Sequence, residues 1–215
     1  MSTVSLHRKA INHLRKTDPV LGEVIDAVGR CTLAPRVEWT HFDALVRSIV
    51  YQQLSGKAAA TIHGRVLTLI GDGADTPRRI VATSHDALRA AGLSNAKATY
   101  VRNLAERVLD GSLPVESLDQ MSDDEIIAAL TQVKGIGKWS AQMFLMFRLG
   151  RPDVLPELDL GVQKGIQKAY RMRKLPTPAQ VLRRGAKWAP YRTVASWYMW
   201  RVLELPQGAL KNANR

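Results

Sequence analysis

The stretch VKGIGKWSA, residues 133–141, sets two glycines two apart, at 135 and 137, with Lys134 and Lys138 beside them. A Gly-x-Gly pair can belong to a dinucleotide-binding turn, but that turn follows a strand inside a βαβ unit. Here the preceding residues are SDDEIIAALTQV (122–133), where Ser122 and Glu125 have capping-box spacing and Ile126, Ile127 and Leu130 follow a helical period. The following residues, KWSAQMFLMFRL (138–149), are also helical, so the unit reads as helix, short hairpin, helix. A glycine turn leading into a helix leaves backbone N–H groups unpaired and lets another backbone approach closely, which suits a phosphate. In a plain helical bundle the same turn is only a glycine cap.

Outward from the hairpin the period stays helical. In HFDALVRSIVYQQL (41–54), Phe42, Leu45, Val46, Ile49 and Val50 form one apolar stripe. Start signals recur at Asp18, Thr40, Thr76, Ser94 and Thr177, each placed as an N-cap. Gly29, Gly71, Gly92 and Gly111 follow apolar-periodic segments as stop signals. No alternating strand of useful length is present. The fold expected is all-α, about ten short helices, with no repeat and no low-complexity segment.

Charge narrows the partner. Lys+Arg 31 against Asp+Glu 19 gives a net +12 and a pI near 10.2, an excess that suits a polyanion, although solubility alone can require it. Its distribution is one-sided: Leu160 to Leu203 holds ten basic residues and no Asp or Glu. That pattern reads as a phosphate-facing surface. Cys31 is the only cysteine, and the five histidines are scattered. An internal disulfide framework and a four-thiolate cluster are excluded, and no metal site is proposed. No apolar run reaches the ~18 residues of a membrane span, and MSTVSLHRKA lacks the apolar core of a secretion signal, so no membrane partner is expected. An intracellular protein acting with the chromosome is the expectation.

The run LTQVKGIGKWSAQMFLMFRLGRPDVLPELDLGVQKG (130–165) resembles the helix-hairpin-helix DNA glycosylase superfamily. VRSIVYQQLSGKAAATI (46–62), KGIGKWSAQMFLMF (134–147) and KWAPYRTVASWYMW (187–200) make it similar to the 3-methyladenine DNA glycosylase II branch. The resemblance covers roughly residues 38–203 and rests on several motifs in one order. It implies two helical lobes with the helix-hairpin-helix and a central cleft. Residues 38–160 would form a helical barrel lobe, and 1–37 plus 161–215 the second. The small β-rich N-terminal domain of some relatives is not expected here, since helix-like sequence starts within the first twenty residues. The implied partner is double-stranded DNA containing alkylated bases, bound by a monomer without cofactor. The implied activity is hydrolysis of the N-glycosidic bond of 3-methyladenine or 7-methylguanine type bases, in base excision repair.

Breaking a C1′–N bond takes the sugar through an oxocarbenium-like transition state that a fixed carboxylate stabilises. Asp153, Glu157 and Asp159 follow the hairpin, and the resemblance selects Asp159, directly before LGVQKG. Asp159 is also placed to cap the helix that follows, which would hold its carboxylate in position. Glu157 is the alternative. Relatives that also cut the strand carry a nucleophilic lysine two residues after the second hairpin glycine. That position is Trp139 here, and Lys138, one residue early, is turned away by about 100°. A monofunctional enzyme using water follows, with Lys138 and, by the same argument, Lys134 as phosphate contacts. Gly135, Gly137, Ser140 and Lys164 complete the expected backbone contacts.

A flipped base needs a pocket and the duplex needs a filler. By resemblance, Trp139, Trp188 and Tyr191 line the pocket, where an aromatic face would attract a cationic alkylated purine. Met143 stands where some relatives have tyrosine. Trp197 and Trp200, inside the last helix, read as core. Gln53 or Leu54, at the turn in YQQLSG, would fill the gap in the stack, and Arg47 with residues 56–58 would add backbone contacts. Three readings stay open beside this one: a bifunctional glycosylase and lyase, a glycosylase for uracil or hypoxanthine, and a non-enzymatic DNA-binding module.

Overall fold

A computed structural model describes residues 3–210. Twelve α-helices occur among them, in chain order α1 (Thr3–Thr17), α2 (Pro19–Val28), α3 (His41–Tyr51), α4 (Gly56–Ile70), α5 (Thr76–Ala82) and α6 (His85–Ala90). The rest are α7 (Asn95–Leu109), α8 (Asp123–Leu130), α9 (Lys138–Phe147), α10 (Leu160–Ala169), α11 (Pro178–Gly185) and α12 (Arg192–Arg201). Three 3-10 turns occur and no strand, among the described residues, so the chain is all-α.

The expected caps form with one exception. Asp18, Thr40, Ser94 and Thr177 accept from the backbone N–H two or three residues into their helices. Ser122 and Glu125 close a capping box ahead of α8. Thr76 is the exception. It is the first residue of α5, the N-cap position falls on Asp75, and the Thr76 hydroxyl donates to the Gly73 carbonyl at 2.7 Å. That bond closes the preceding turn, and Thr76, already the first residue of the helix, does not stand at the N-cap position from which its oxygen would accept.

One compact unit spans Arg36–Leu149. Its centre is α3, whose predicted stripe of Phe42, Leu45, Val46, Ile49 and Val50 is buried, each side chain at most 3% exposed. Burial of such side chains stabilises by about 1.5–3 kcal/mol each. The helix packs on α4, α5, α7 and α9. Buried Asp43 is satisfied on the same helix end: it accepts from the Thr40 hydroxyl at 2.7 Å and the Gly73 N–H at 3.1 Å. The helices α8 and α9 pack together across the glycine hairpin.

The other unit comprises the described residues up to Pro35 and from Gly150 on. Here α10 packs on α12, α1 on α2, and α12 on both α1 and α2. Asp18 ties the unit together. Its carboxylate caps α2 through Leu21 N–H, accepts from Trp188 Nε1 at 2.8 Å and from the Tyr170 hydroxyl, and pairs with Lys187 at 3.0 Å. Burial alone would raise its pKa, but these donors and the Lys187 charge outweigh burial and hold it below the ordinary value. Cys31 is buried in this unit, and burial pushes its thiol up to about 11.

Candidate active site

The hairpin is built from two glycines with different tasks. Gly135 has φ +83°, and a Cβ there would lie 2.1 Å from the Tyr100 ring, so both the backbone and the neighbour exclude a side chain. Gly137 is in extended backbone, φ −95°, and nothing lies within 4 Å of where its Cβ would be. It is the N-cap of α9 and offers no side-chain cap, leaving open space over the helix start. The Gly135 carbonyl accepts from Gln52 Nε2 at 2.8 Å, and the Lys134 N–H donates to Asn103 Oδ1 at 3.0 Å. The hairpin is thus fixed from α3 and α7. Lys134 and Lys138 have exposed side chains.

Lys97 on α7 fixes the end of α3. Its ammonium donates to the carbonyls of Val50 at 2.8 Å and Gln52 at 2.6 Å, the last acceptors of that helix. Burial lowers its pKa. The turn so held carries Gln53, in the left-handed region at φ 55°, and Leu54, 39% exposed. Both expected gap fillers therefore stand in the solvent-exposed turn between α3 and α4.

Within the Arg36–Leu149 unit lies a cavity of about 570 Å³. Trp139, Ser140, Met143, Phe144 and Phe147 line it from α9; Trp39, Arg47 and Tyr51 line it from in and before α3, and Gln53 and Gly135 contribute as well. Trp139, 44% exposed, and Met143 both line this cavity. Lys138 is absent from the lining. Ser140, expected on the phosphate side, is 8% exposed and belongs to the cavity wall, because the third residue of α9 turns back onto the packed face. Sequence reasoning missed Trp39, Tyr51 and the place of Arg47. The i, i+4 spacing of Arg47 and Tyr51 was the available signal. The Arg47 guanidinium carbon lies 3.8 Å from the Tyr51 ring centroid and 4.8 Å from that of Trp39.

In the other unit, Asp159 caps α10. Its Oδ1 accepts from the Val162 N–H at 2.7 Å and from Trp200 Nε1 at 2.8 Å. Asp159 is 9% exposed. Trp200, read as core, is half-buried and hydrogen-bonded to this carboxylate. Gly161 makes room for it: a Cβ there would meet the Trp200 ring at 2.7 Å and Asp159 Oδ1 at 3.0 Å. Asp153 is committed to Arg192 through bonds of 2.7 and 2.8 Å, and burial, which would raise its pKa, is outweighed by that pairing. Glu157 is buried two residues before Asp159.

The expectation for Trp188 fails. Its side chain is fully buried, and its indole N–H is spent on Asp18, so no face remains to line a pocket. Tyr191 is half-buried and meets His13 edge-on at 5.4 Å. Lys164 is exposed on α10. Among the described residues no cluster of three His, Cys, Asp or Glu side chains is arranged to hold a metal ion, and no helix is long and apolar enough to cross a membrane.

The sequence profile described as HhH-GPD superfamily base excision DNA repair protein matches residues 46–191, from α3 through the hairpin and Asp159 to the start of α12. The chain belongs to the HhH-GPD superfamily. Among HhH-GPD relatives, DNA-3-methyladenine glycosylase 1 of Schizosaccharomyces pombe is 37% identical over 166 residues, covering 76% of this chain and 73% of its own. The crystal structure of a DNA-3-methyladenine glycosidase from Bacillus halodurans superposes with a TM-score of 0.80 at 39% identity, covering 89% of this chain and 88% of that one. The structure of Schizosaccharomyces pombe 3-methyladenine DNA glycosylase in complex with abasic DNA superposes with a TM-score of 0.78 at 33% identity, over 92% of this chain and 97% of that one. The all-α architecture is that of HhH-GPD glycosylases.

Proposed function

We propose that this protein is a monofunctional DNA glycosylase that hydrolyses the N-glycosidic bond of alkylated bases in duplex DNA. The observation that carries the reading is Asp159: a carboxylate held by a helix N–H and an indole N–H, in the family and at the sequence position where a base-excising acid is expected. The names of the relatives, DNA-3-methyladenine glycosylases, support the substrate class, and the neighbour bound to abasic DNA supports DNA as partner.

In this mechanism the hairpin, with Gly135, Gly137, Lys134 and Lys138, holds the backbone, and Lys164 adds charge. Gln53 or Leu54 fills the gap left by the flipped base. The cavity of Trp139, Met143 and Tyr51 receives the base. The C1′–N bond breaks with its electron pair on the base, and the Asp159 carboxylate stabilises the positive charge growing on the sugar. Water oxygen then bonds C1′. A cationic N-alkylpurine leaves neutral and the water proton goes to solvent; a neutral base leaves as an anion and takes a proton. No lysine amine attacks the sugar, since Trp139 fills that position. The enzyme acts on chromosomal DNA as a monomer.

Asp159→Asn tests the reading. The expected result is loss of 3-methyladenine release from methylated duplex DNA by about a hundredfold or more with duplex binding retained. Undiminished release by the variant would move the acid to Glu157, and absence of release by the wild type would overturn the proposal. A Schiff base trapped by borohydride would favour the lyase.

A further inference from the structure

On α7, Lys97, Tyr100 and Asn103 follow one another three residues apart, so they form a row along one side of the helix. Each holds a part of the Arg36–Leu149 unit that the reading above assigns to DNA. Lys97 donates to the carbonyls of Val50 and Gln52, where α3 ends and the gap-filling turn begins. The Tyr100 ring packs against Gly135, and Asn103 Oδ1 accepts from the Lys134 N–H, so the next two members of the row hold the hairpin. With a rise of about 1.5 Å per residue, Lys97 and Asn103 stand about 9 Å apart along the axis. One side of α7 thus keeps turn and hairpin at a set spacing.

Gln52 closes this frame from the opposite direction. It is the C-cap of α3 with ψ 133°, so the chain leaves the helix there. Its carbonyl accepts from Lys97 at 2.6 Å, and its side-chain amide donates to the Gly135 carbonyl at 2.8 Å. Turn and hairpin are therefore linked through this one residue as well as through α7. The next residue, Gln53, has φ 55°, a left-handed backbone that a non-glycine residue holds only where its surroundings fix it. On the far side the turn ends at Ser55, whose hydroxyl caps α4 by accepting from the Ala58 N–H. Gln52 also lines the cavity, together with Gln53 and Gly135.

A gap filler must enter the stack as the base leaves it. If its turn were free relative to the hairpin, each insertion would have to order that turn, and the ordering would add to the barrier. A turn already locked to the hairpin brings the filler to the same place whenever the hairpin grips the backbone.

We propose that Gln52 is a positioning residue for base flipping: it locks the gap-filling turn to the phosphate-binding hairpin, within the frame set by Lys97, Tyr100 and Asn103. The proposal rests on the glycosylase reading above.

Gln52→Met, which keeps the length of the side chain and removes its donor, tests it. The Gly135 carbonyl is at an exposed position and turns to water in the variant, so the urea midpoint stays close to that of the wild type. The substrate is a duplex with one 7-methylguanine and a neighbouring 2-aminopurine, whose fluorescence rises on unstacking. The expected result is a fall of about tenfold in single-turnover release at saturating enzyme, with the fluorescence rise slowed alike and the Kd for undamaged duplex unchanged. Lys97→Met should slow the same two steps, and the double variant should lose less than the product of the single losses, because the two residues act as one unit. Unchanged release and unstacking in Gln52→Met would overturn the inference. So would strictly multiplicative losses, or an equal loss of undamaged-duplex binding, which would make Gln52 a support of the hairpin alone. Absence of release by the wild type, from this duplex and from methylated duplex DNA, would instead overturn the glycosylase reading and this inference with it.

Discussion

Two N–H donors converge on Asp159 Oδ1, one from the first turn of α10 and one from an indole forty-one residues later in the chain. The first was legible in the sequence, because an Asp before a helical run is an N-cap by rule. The second was not. Trp200 sits in an apolar helix, and its hydrogen bond depends on Gly161 leaving space above the carboxylate, which no local pattern encodes. The same reason explains Trp188: two tryptophans near one motif look alike in sequence, and only the fold assigns one indole N–H to Asp18 and the other to Asp159. On the proposed mechanism Trp200 is a positioning residue. Trp200→Phe keeps the ring and removes the donor, so single-turnover excision should fall about tenfold while binding of an abasic-site duplex stays unchanged. A parallel loss of binding would mean that the ring, not the hydrogen bond, matters.

The helices themselves were the readable part at the element scale. The α3 stripe, the capping box ahead of α8 and the glycine stops at Gly29 and Gly71 follow from periods of 3.6 and from cap chemistry. Thr76 shows the limit: a hydroxyl can serve the turn behind it as well as the helix ahead. Helix pairing was not readable either. A Cβ at Gly165 on α10 would lie 2.0 Å from the Met199 carbonyl oxygen of α12, so these two helices touch backbone to backbone. Gly165→Ala should therefore cost about 2 kcal/mol or more, seen as a lower urea midpoint. Gly64→Ala on the exposed side of α4, where nothing lies within 4 Å, should instead stabilise by about 0.5–1 kcal/mol. Equal shifts for the two would remove the close approach as the cause.

Charge acts on the whole molecule. The net +12 and the acid-free run from Leu160 to Leu203 put few carboxylates in the chain, and two of them, Asp18 and Asp153, are held by donors that lower their pKa despite burial. A carboxyl whose folded value is depressed contributes stability above its unfolded value and loses it as pH falls through the folded one. The ordinary value is 3.8. Urea midpoints should therefore be flat in the neutral range and drop below about pH 4, with Asp18→Asn flattening that drop; a drop centred near pH 6 would point to histidines instead. One further trait concerns survival among electrophiles. With its thiol pushed up to about 11, Cys31 is thiolate in only about one molecule in ten thousand at neutral pH, and its sulfur is shielded from solvent. The methylating agents that create alkylated bases attack soft nucleophiles first. A protein that works where such agents are present keeps its one sulfhydryl in a form they cannot readily consume.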